Sequence, residues 1–292
     1  MQTSNFIDEN VKTTESRTKY YLRRFFQRPT AVIGAVIVLI FLVFAILGPY
    51  IAPFDPAQPD YDNLYGKPDR THWFGADEFG QDVFSRLLVG TRNSLGVALS
   101  SVLIGAILGA ILGVLAGYYG GILELIVMRG ADILFAMPDI LLAIAVVAII
   151  GPGIINVIIA VAVFTVPSFA RIMRSATLSV KGSLFVEAAR SIGCGNGRIL
   201  WKHIFPATLQ TMVVNFTMRI GTAILAAASL SFLGYGAKVT EPDWGAMLST
   251  GRNYLNIAPH MVYFPGLLIF LTVLAFNLLG DGLRDTLDPR LK

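Results

Sequence analysis

Long apolar runs recur along this chain, each near the length that crosses about 30 Å of hydrocarbon. Hydropathy places them at Ala31–Ala52, Ser94–Tyr118, Ile133–Ile150, Ile154–Phe169, Gln210–Leu233 and Met261–Leu279. Backbone in lipid must satisfy its own hydrogen bonds, so apolar runs of this length are helices. The expected fold is therefore all-α, a polytopic membrane protein with about six transmembrane helices. Composition agrees: 14% of the 292 residues are charged and 54% are hydrophobic, where a soluble domain carries roughly a quarter charged residues. Gly151-Pro152-Gly153 joins the third and fourth runs as a tight turn of helix breakers. The first run is longer than a signal-peptide core and no small-residue cleavage site follows it, so it reads as an uncleaved span. Residues 1–30 form a polar N-terminal segment and 31–292 a single transmembrane domain, with no large soluble domain between them.

Orientation follows from the basic residues. Six precede the first run (Lys12, Arg17, Lys19, Arg23, Arg24, Arg28) and Arg129 lies between the second and third. Six more lie between the fourth and fifth (Arg171, Arg174, Lys181, Arg190, Arg198, Lys202), and Arg284, Arg290 and Lys292 end the chain. The other side holds Lys67, Arg70, Arg86, Arg92, Lys238 and Arg252, and Arg219 falls within a run. Both termini are expected in the cytoplasm, with 53–93 and 236–260 outside. A net charge of +4 distributed this way points to a cytoplasmic (inner) membrane and its lipid, not to nucleic acid.

Little here resembles a catalytic centre. His72, His203 and His260 fall in predicted loops, and none is paired with a second ligand at helical spacing, so no metal site is expected. The phosphate-cradling pattern G-x-x-x-x-G-K-[ST] is absent from the sequence, so ATP is not bound by that route. The single cysteine, Cys194, excludes an intrachain disulfide. Energy for any transport must come from a potential, an ion gradient or a partner.

Three features remain as candidate functional positions. The first is the segment between the fourth and fifth runs, Glu187-Ala188-Ala189-Arg190-Ser191-Ile192-Gly193. Residues 183–192 suit a short helix with Phe185, Ala188, Ala189 and Ile192 as an apolar stripe, ended by Gly193 in the left-handed conformation. The residues alone leave open a helix lying on anionic lipid and a helix docked on protein, although two alanines favour close protein contact. The second is Ser101, Gly105, Gly109, Gly113 and Gly117, four residues apart, a small-residue ridge for tight helix packing or for sliding during transport. The third is Arg219, a cation inside a run with no acid expected in the core of any other run. Such a charge faces a cavity or a partner, or is satisfied by carbonyls and water. The outer segment 53–93, rich in acids, aromatics and prolines, either caps a pore, meets a delivery protein, or in 55–70 is simply solvated.

The 187–193 segment, followed by Arg198, Lys202, His203, Ile204, Phe205 and Pro206, resembles the E-A-A…G signature of permease subunits of ABC importers. His203 stands where that signature usually has isoleucine, and Phe205-Pro206 replaces Leu-Pro. Residues 72–86, HWFGADEFGQDVFSR, resemble the G-T-D-x-x-G-R-D-x-x-S-R segment of the dipeptide, oligopeptide and nickel permease family. Ala76 and Gln81 replace its usual Thr and Arg. Residues 276–291 resemble that family's C-terminal sequence, and Phe216–Thr222 with Ala258-Pro259-His260 look most like its glutathione and dipeptide branch of the second, C-type kind. The resemblance implies the type I importer fold, with Phe185, Glu187, Ala188, Ala189, Ile192 and Gly193 on a coupling helix at about 183–193. It also implies a heterodimer with a homologous permease, two ATPase subunits that carry ATP and Mg, and an extracytoplasmic substrate-binding protein. No cofactor is expected on this chain, which would be a pore subunit and not an enzyme. Peptide, glutathione and nickel are the cargoes the resemblance allows. A self-contained secondary transporter would be expected to show internal repeats and titratable midspan groups, and an intramembrane enzyme a cluster of His, Cys or acids; the sequence displays neither.

Overall fold

The computed structural model describes residues 23–237 and 241–287. Among them, five helices are long and apolar enough to cross a membrane, or six if one bent pair counts as a single span. Helix α1 is Pro29–Ile51, with Pro29 in its first turn, where a missing N–H costs nothing. Its buried residues, Ala31, Gly34, Val38 and Phe41, recur at three- and four-residue spacing, while Ile33, Val36, Leu39, Ile40 and Ile46 lie exposed, as lipid-facing side chains do.

Helix α2, Val83–Tyr119, begins eleven residues before the expected Ser94. Asp82 sets that start: its carboxylate accepts the Ser85 N–H at 2.8 Å and the Ser85 hydroxyl at 2.6 Å. Gly120 and Gly121, both at positive φ, turn the chain into α3, Gly121–Phe135.

The third expected span, Ile133–Ile150, is not one helix. Helix α3 stops at Phe135 and α4, Asp139–Ile150, leaves it at 93°. The cause is Pro138, which has no N–H to donate and pushes Met137 away from helical geometry. Helix α5, Ile154–Lys181, runs twelve residues beyond the expected Phe169. Helix α6 is the short Leu184–Ser191.

Helix α7, Asn196–Phe232, starts well before the expected Gln210. It carries one wide turn at Leu200–Ile204, where the Phe205 N–H reaches back five residues to Leu200. Pro206 follows directly, so the wide turn sits where the regular ladder would otherwise lose a donor. Helix α8, Trp244–Gly251, and α9, His260–Leu287, complete the fold.

Two faces result. On one, which carries 53–82, the Gly153 N–H donates to the Tyr235 carbonyl (2.9 Å) and Asn93 donates to Pro242 (2.7 Å). On the other, which carries α6, Tyr118 donates to Asn196 (2.7 Å), and Arg28 pairs with Asp285. Trp244 is fully buried and plugs the first face, its indole N–H donating to the Leu87 carbonyl at 3.2 Å and its ring meeting Phe41 edge-on.

The broadest helix contact joins α2 to α5, and the small-residue ridge lies in it. A Cβ on Gly105 would sit 2.7 Å from Thr165, on Gly109 2.5 Å from the Val166 carbonyl, on Gly113 2.3 Å from the Ala170 carbonyl, and on Gly117 2.9 Å from the Arg174 carbonyl. Only glycine permits two backbones this close. Ser101 is fully buried on the same row, and its hydroxyl donates to its own helix at Val97.

Candidate functional site

On the α6 face, Val186 and Ala189 are buried among Val114, Tyr118, Met173, Ile199 and Ile204. This corrects the expected stripe. Ala189 turns into the fold, whereas Phe185, Ala188 and Ile192 stay uncovered together with Leu184; Ile192 is 81% and Leu184 84% exposed. Val186 was the missed member, and its three-residue spacing from Ala189 was the available signal. Glu187 is exposed at the first turn. Gly193, at φ +81°, ends the helix: its N–H donates to Arg190 (2.9 Å) and that of Cys194 to Ala189 (3.0 Å), the two bonds of a Schellman stop. A Cβ placed there would meet nothing of this chain within 4 Å. The result is an apolar helix face, firmly anchored from behind, with no cover among the described residues.

Arg219 lies thirteen residues before the end of α7, about 20 Å along the helix from that end. It is half-buried, and its guanidinium donates to the Ser168 hydroxyl on α5 at 2.7 Å. The resident partner is thus a side-chain hydroxyl, an alternative the sequence did not offer.

The sequence also missed a row of charges. Glu124, Arg129 and Asp132 read as loop residues, as did Arg171 and Arg174, because the helix limits were drawn from apolar runs. Instead α3 and α5 carry them side by side. Arg174 Nε donates to Glu124 at 2.6 Å, Arg171 to Asp132 at 2.8 Å, and Arg129 lies 3.7 Å from Asp132. Both acids lie outside the apolar runs, in the helical stretch between Tyr118 and Ile133.

On the opposite face, residues 72–86 build a rigid cap. Asp82 also accepts from His72 Nδ1 (3.0 Å), Asp77 accepts the Phe79 and Gln81 N–H groups (2.9 Å each) and faces Arg86 at 3.4 Å. Gln81, which replaces the family's arginine, pairs with Arg86 and donates to the Ala57 carbonyl. The cap is tied to α9 by His260, whose Nε2–H donates to the Ala76 carbonyl (3.0 Å), and by Phe74 stacked on Phe264. Burial pushes the Asp77 and Glu78 carboxyls above their ordinary range, with Arg86 opposing the shift. Residues 55–70 are mostly solvent-exposed. Among the described residues no group of three or more His, Cys, Asp or Glu gathers as a metal site would.

This arrangement, apolar helices around a half-buried cation with a short, partly uncovered helix on one face, can be compared with known proteins. Residues 109–292 match the model of the binding-protein-dependent transport system inner membrane component, and 16–68 match the N-terminal transmembrane domain of oligopeptide transport permease C. The chain belongs to this permease family. Its relatives include the glutathione transport system permease protein GsiD of Escherichia coli, Shigella boydii and Shigella sonnei, each 54% identical over 285 residues, or 97% of this chain and 94% of the relative. A chain of the MetNI methionine ABC transporter in inward-facing conformations shares the fold, with TM-score 0.54 and 22% identity over 69% of this permease and 96% of that chain. The permease is thus an α-helical, multi-span inner-membrane component of the ABC importer type. The C-terminal part of the family resemblance, 288–291, and most of the segment 1–30 lie outside the described residues.

Proposed function

We propose that this permease imports glutathione as one half of a two-subunit pore driven by partner ATPases. The observation that carries the reading is 54% identity to glutathione permeases across 97% of the chain. The same relatives favour glutathione over the nickel alternative. A homologous permease supplies the other half, and an extracytoplasmic binding protein delivers cargo at the cap face. Residues 1–30, ahead of the transmembrane domain, and the C-terminus lie in the cytoplasm with α6. There the uncovered face of Phe185, Ala188 and Ile192, flanked by Glu187 and stopped at Gly193, rests on an ATPase subunit and carries its closure into the membrane. ATP and Mg belong to that partner.

Arg219 binds a carboxylate of the cargo within the path. A guanidinium grips a carboxylate through two parallel bonds, and exchange of the Ser168 hydroxyl for that anion replaces a neutral partner with a charged one. The test is uptake of labelled glutathione into proteoliposomes. The expected result is uptake by the complete assembly only with ATP and binding protein. Uptake by this chain alone on an ion gradient would overturn the proposal in favour of a secondary transporter.

A further inference from the structure

We infer that the groove between α3 and α5 is a second anion station, where the cargo's carboxylate replaces Asp132 and Glu124 as partner of Arg171 and Arg174. The inference rests on the import reading and extends it beyond Arg219. The groove holds about 490 Å³ and is lined by Glu124, Arg129, Asp132, Arg171 and Arg174, with Leu125 and Met128 as its apolar part. Three guanidiniums face two carboxylates, which leaves one positive charge uncompensated within the groove.

Its place in the helix row connects it to Arg219. Ser168, which holds Arg219, stands three residues before Arg171, and Arg174 follows three later. Residues three apart are neighbours on a helix, so Arg171 adjoins both Ser168 and Arg174, which themselves lie about 120° apart around the axis. Arg171 is seventeen residues from the cap-face end of α5, about 26 Å along the axis towards the face that carries α6.

The Arg171–Asp132 pair is the more exchangeable of the two, since the Arg174 and Glu124 side chains are only 32% and 26% exposed. Arg171 and Asp132 side chains are 53% and 49% exposed, and ion pairs so open to water contribute little to stability. Arg171 is held from behind by the ring of Phe135, 4.4 Å from its guanidinium carbon, so its donors stay positioned when the partner changes. An incoming carboxylate then meets a preset fork at the cost of a weak pair.

A site of this kind and a structural lock respond oppositely to removal of the acid. The experiment uses the whole importer, solubilised without its binding protein, with Arg219→Met present throughout to silence the deeper guanidinium. Glutarate and glutathione are titrated and the apparent Kd is read from the shift in melting temperature. Arg171→Gln is expected to weaken both ligands about tenfold, and Asp132→Asn to tighten them about threefold by removing the competitor. Dimethyl glutarate, which has no free carboxylate, should give no shift. The inference is overturned if the two substitutions move the Kd in the same direction or leave it unchanged. Uptake separates the two levels. A wild-type importer that moves no glutathione while the opposed pattern holds for glutarate refutes the cargo and keeps the station. Normal uptake without the pattern refutes the station alone.

Discussion

Replacing Gly113 by alanine should part helices α2 and α5, and the size of the effect can be worked from the contact. The added Cβ would lie 2.3 Å from the Ala170 carbonyl oxygen and 2.9 Å from the Met173 Cβ. Favourable carbon contacts begin near 3.5 Å, so the helices must separate by about 1 Å. The obstacle is backbone and cannot swing aside, which puts the cost in the upper half of the about 1–3 kcal/mol seen for overpacking. Alanine also gains about 1 kcal/mol of helix propensity over glycine. Gly96→Ala controls for that gain, because Gly96 is on the same helix and its Cβ would meet nothing within 4 Å. The difference between the two variants therefore isolates the clash. Unfolding the purified chain from mixed micelles with SDS, followed by circular dichroism, gives both free energies. Gly113→Ala should be less stable than Gly96→Ala by about 2–3 kcal/mol. A difference under about 0.5 kcal/mol would show that α2 and α5 do not meet as described.

Two further outcomes are expected. Arg219→Met should abolish most uptake at normal protein level, while Arg219→Lys keeps the charge, loses the two-pronged grip and retains partial uptake; wild-type rates in Arg219→Met would make Arg219 a packing residue. In a Cys194→Ser background, a cysteine at exposed Asp62 should react with an impermeant thiol reagent from outside intact cells, and labelling only after permeabilisation would invert the topology.

The membrane character of the chain was legible because lipid demands long uninterrupted apolar runs. The helix ends were not, because the signals that set them are polar. Asp82 starts α2 outside the apolar run, and Glu124, Arg171 and Arg174 continue helices past the residues that hydropathy marks. The 93° break at Pro138 hid inside a run that read as continuous, since Ile133–Ile150 is interrupted by one proline and its neighbours only. The short helix 184–191 could be placed from its alanines and Gly193, yet its buried side could not. Val186 with Ala189 and Phe185 with Ala188 and Ile192 are both apolar sets at helical spacing, and only the packing of Tyr118 and Ile199 decides that Val186 and Ala189 turn inward. Arg219 stood out as a charge in an apolar run, but its bond to Ser168 depends on two helices fifty-one residues apart in sequence, which no local pattern encodes.

The central claim, that α6 carries the ATPase motion, is tested most directly by the coupling ratio at Gly193. At φ +81° an L side chain other than asparagine or aspartate carries about 1–2 kcal/mol of strain, and a Cβ there meets nothing of this chain within 4 Å. Alanine therefore introduces strain without bulk, asparagine little of either, and tryptophan both. Measured in one reconstituted importer as glutathione molecules taken up per ATP hydrolysed, Gly193→Asn and Gly193→Ala should stay near the wild-type ratio while Gly193→Trp falls at least about tenfold with the subunit still inserted, as expected for loss of a buried contact worth about 1.4 kcal/mol or more. A wild-type ratio in Gly193→Trp, or an equal fall in Gly193→Ala, would contradict a docked partner at this face.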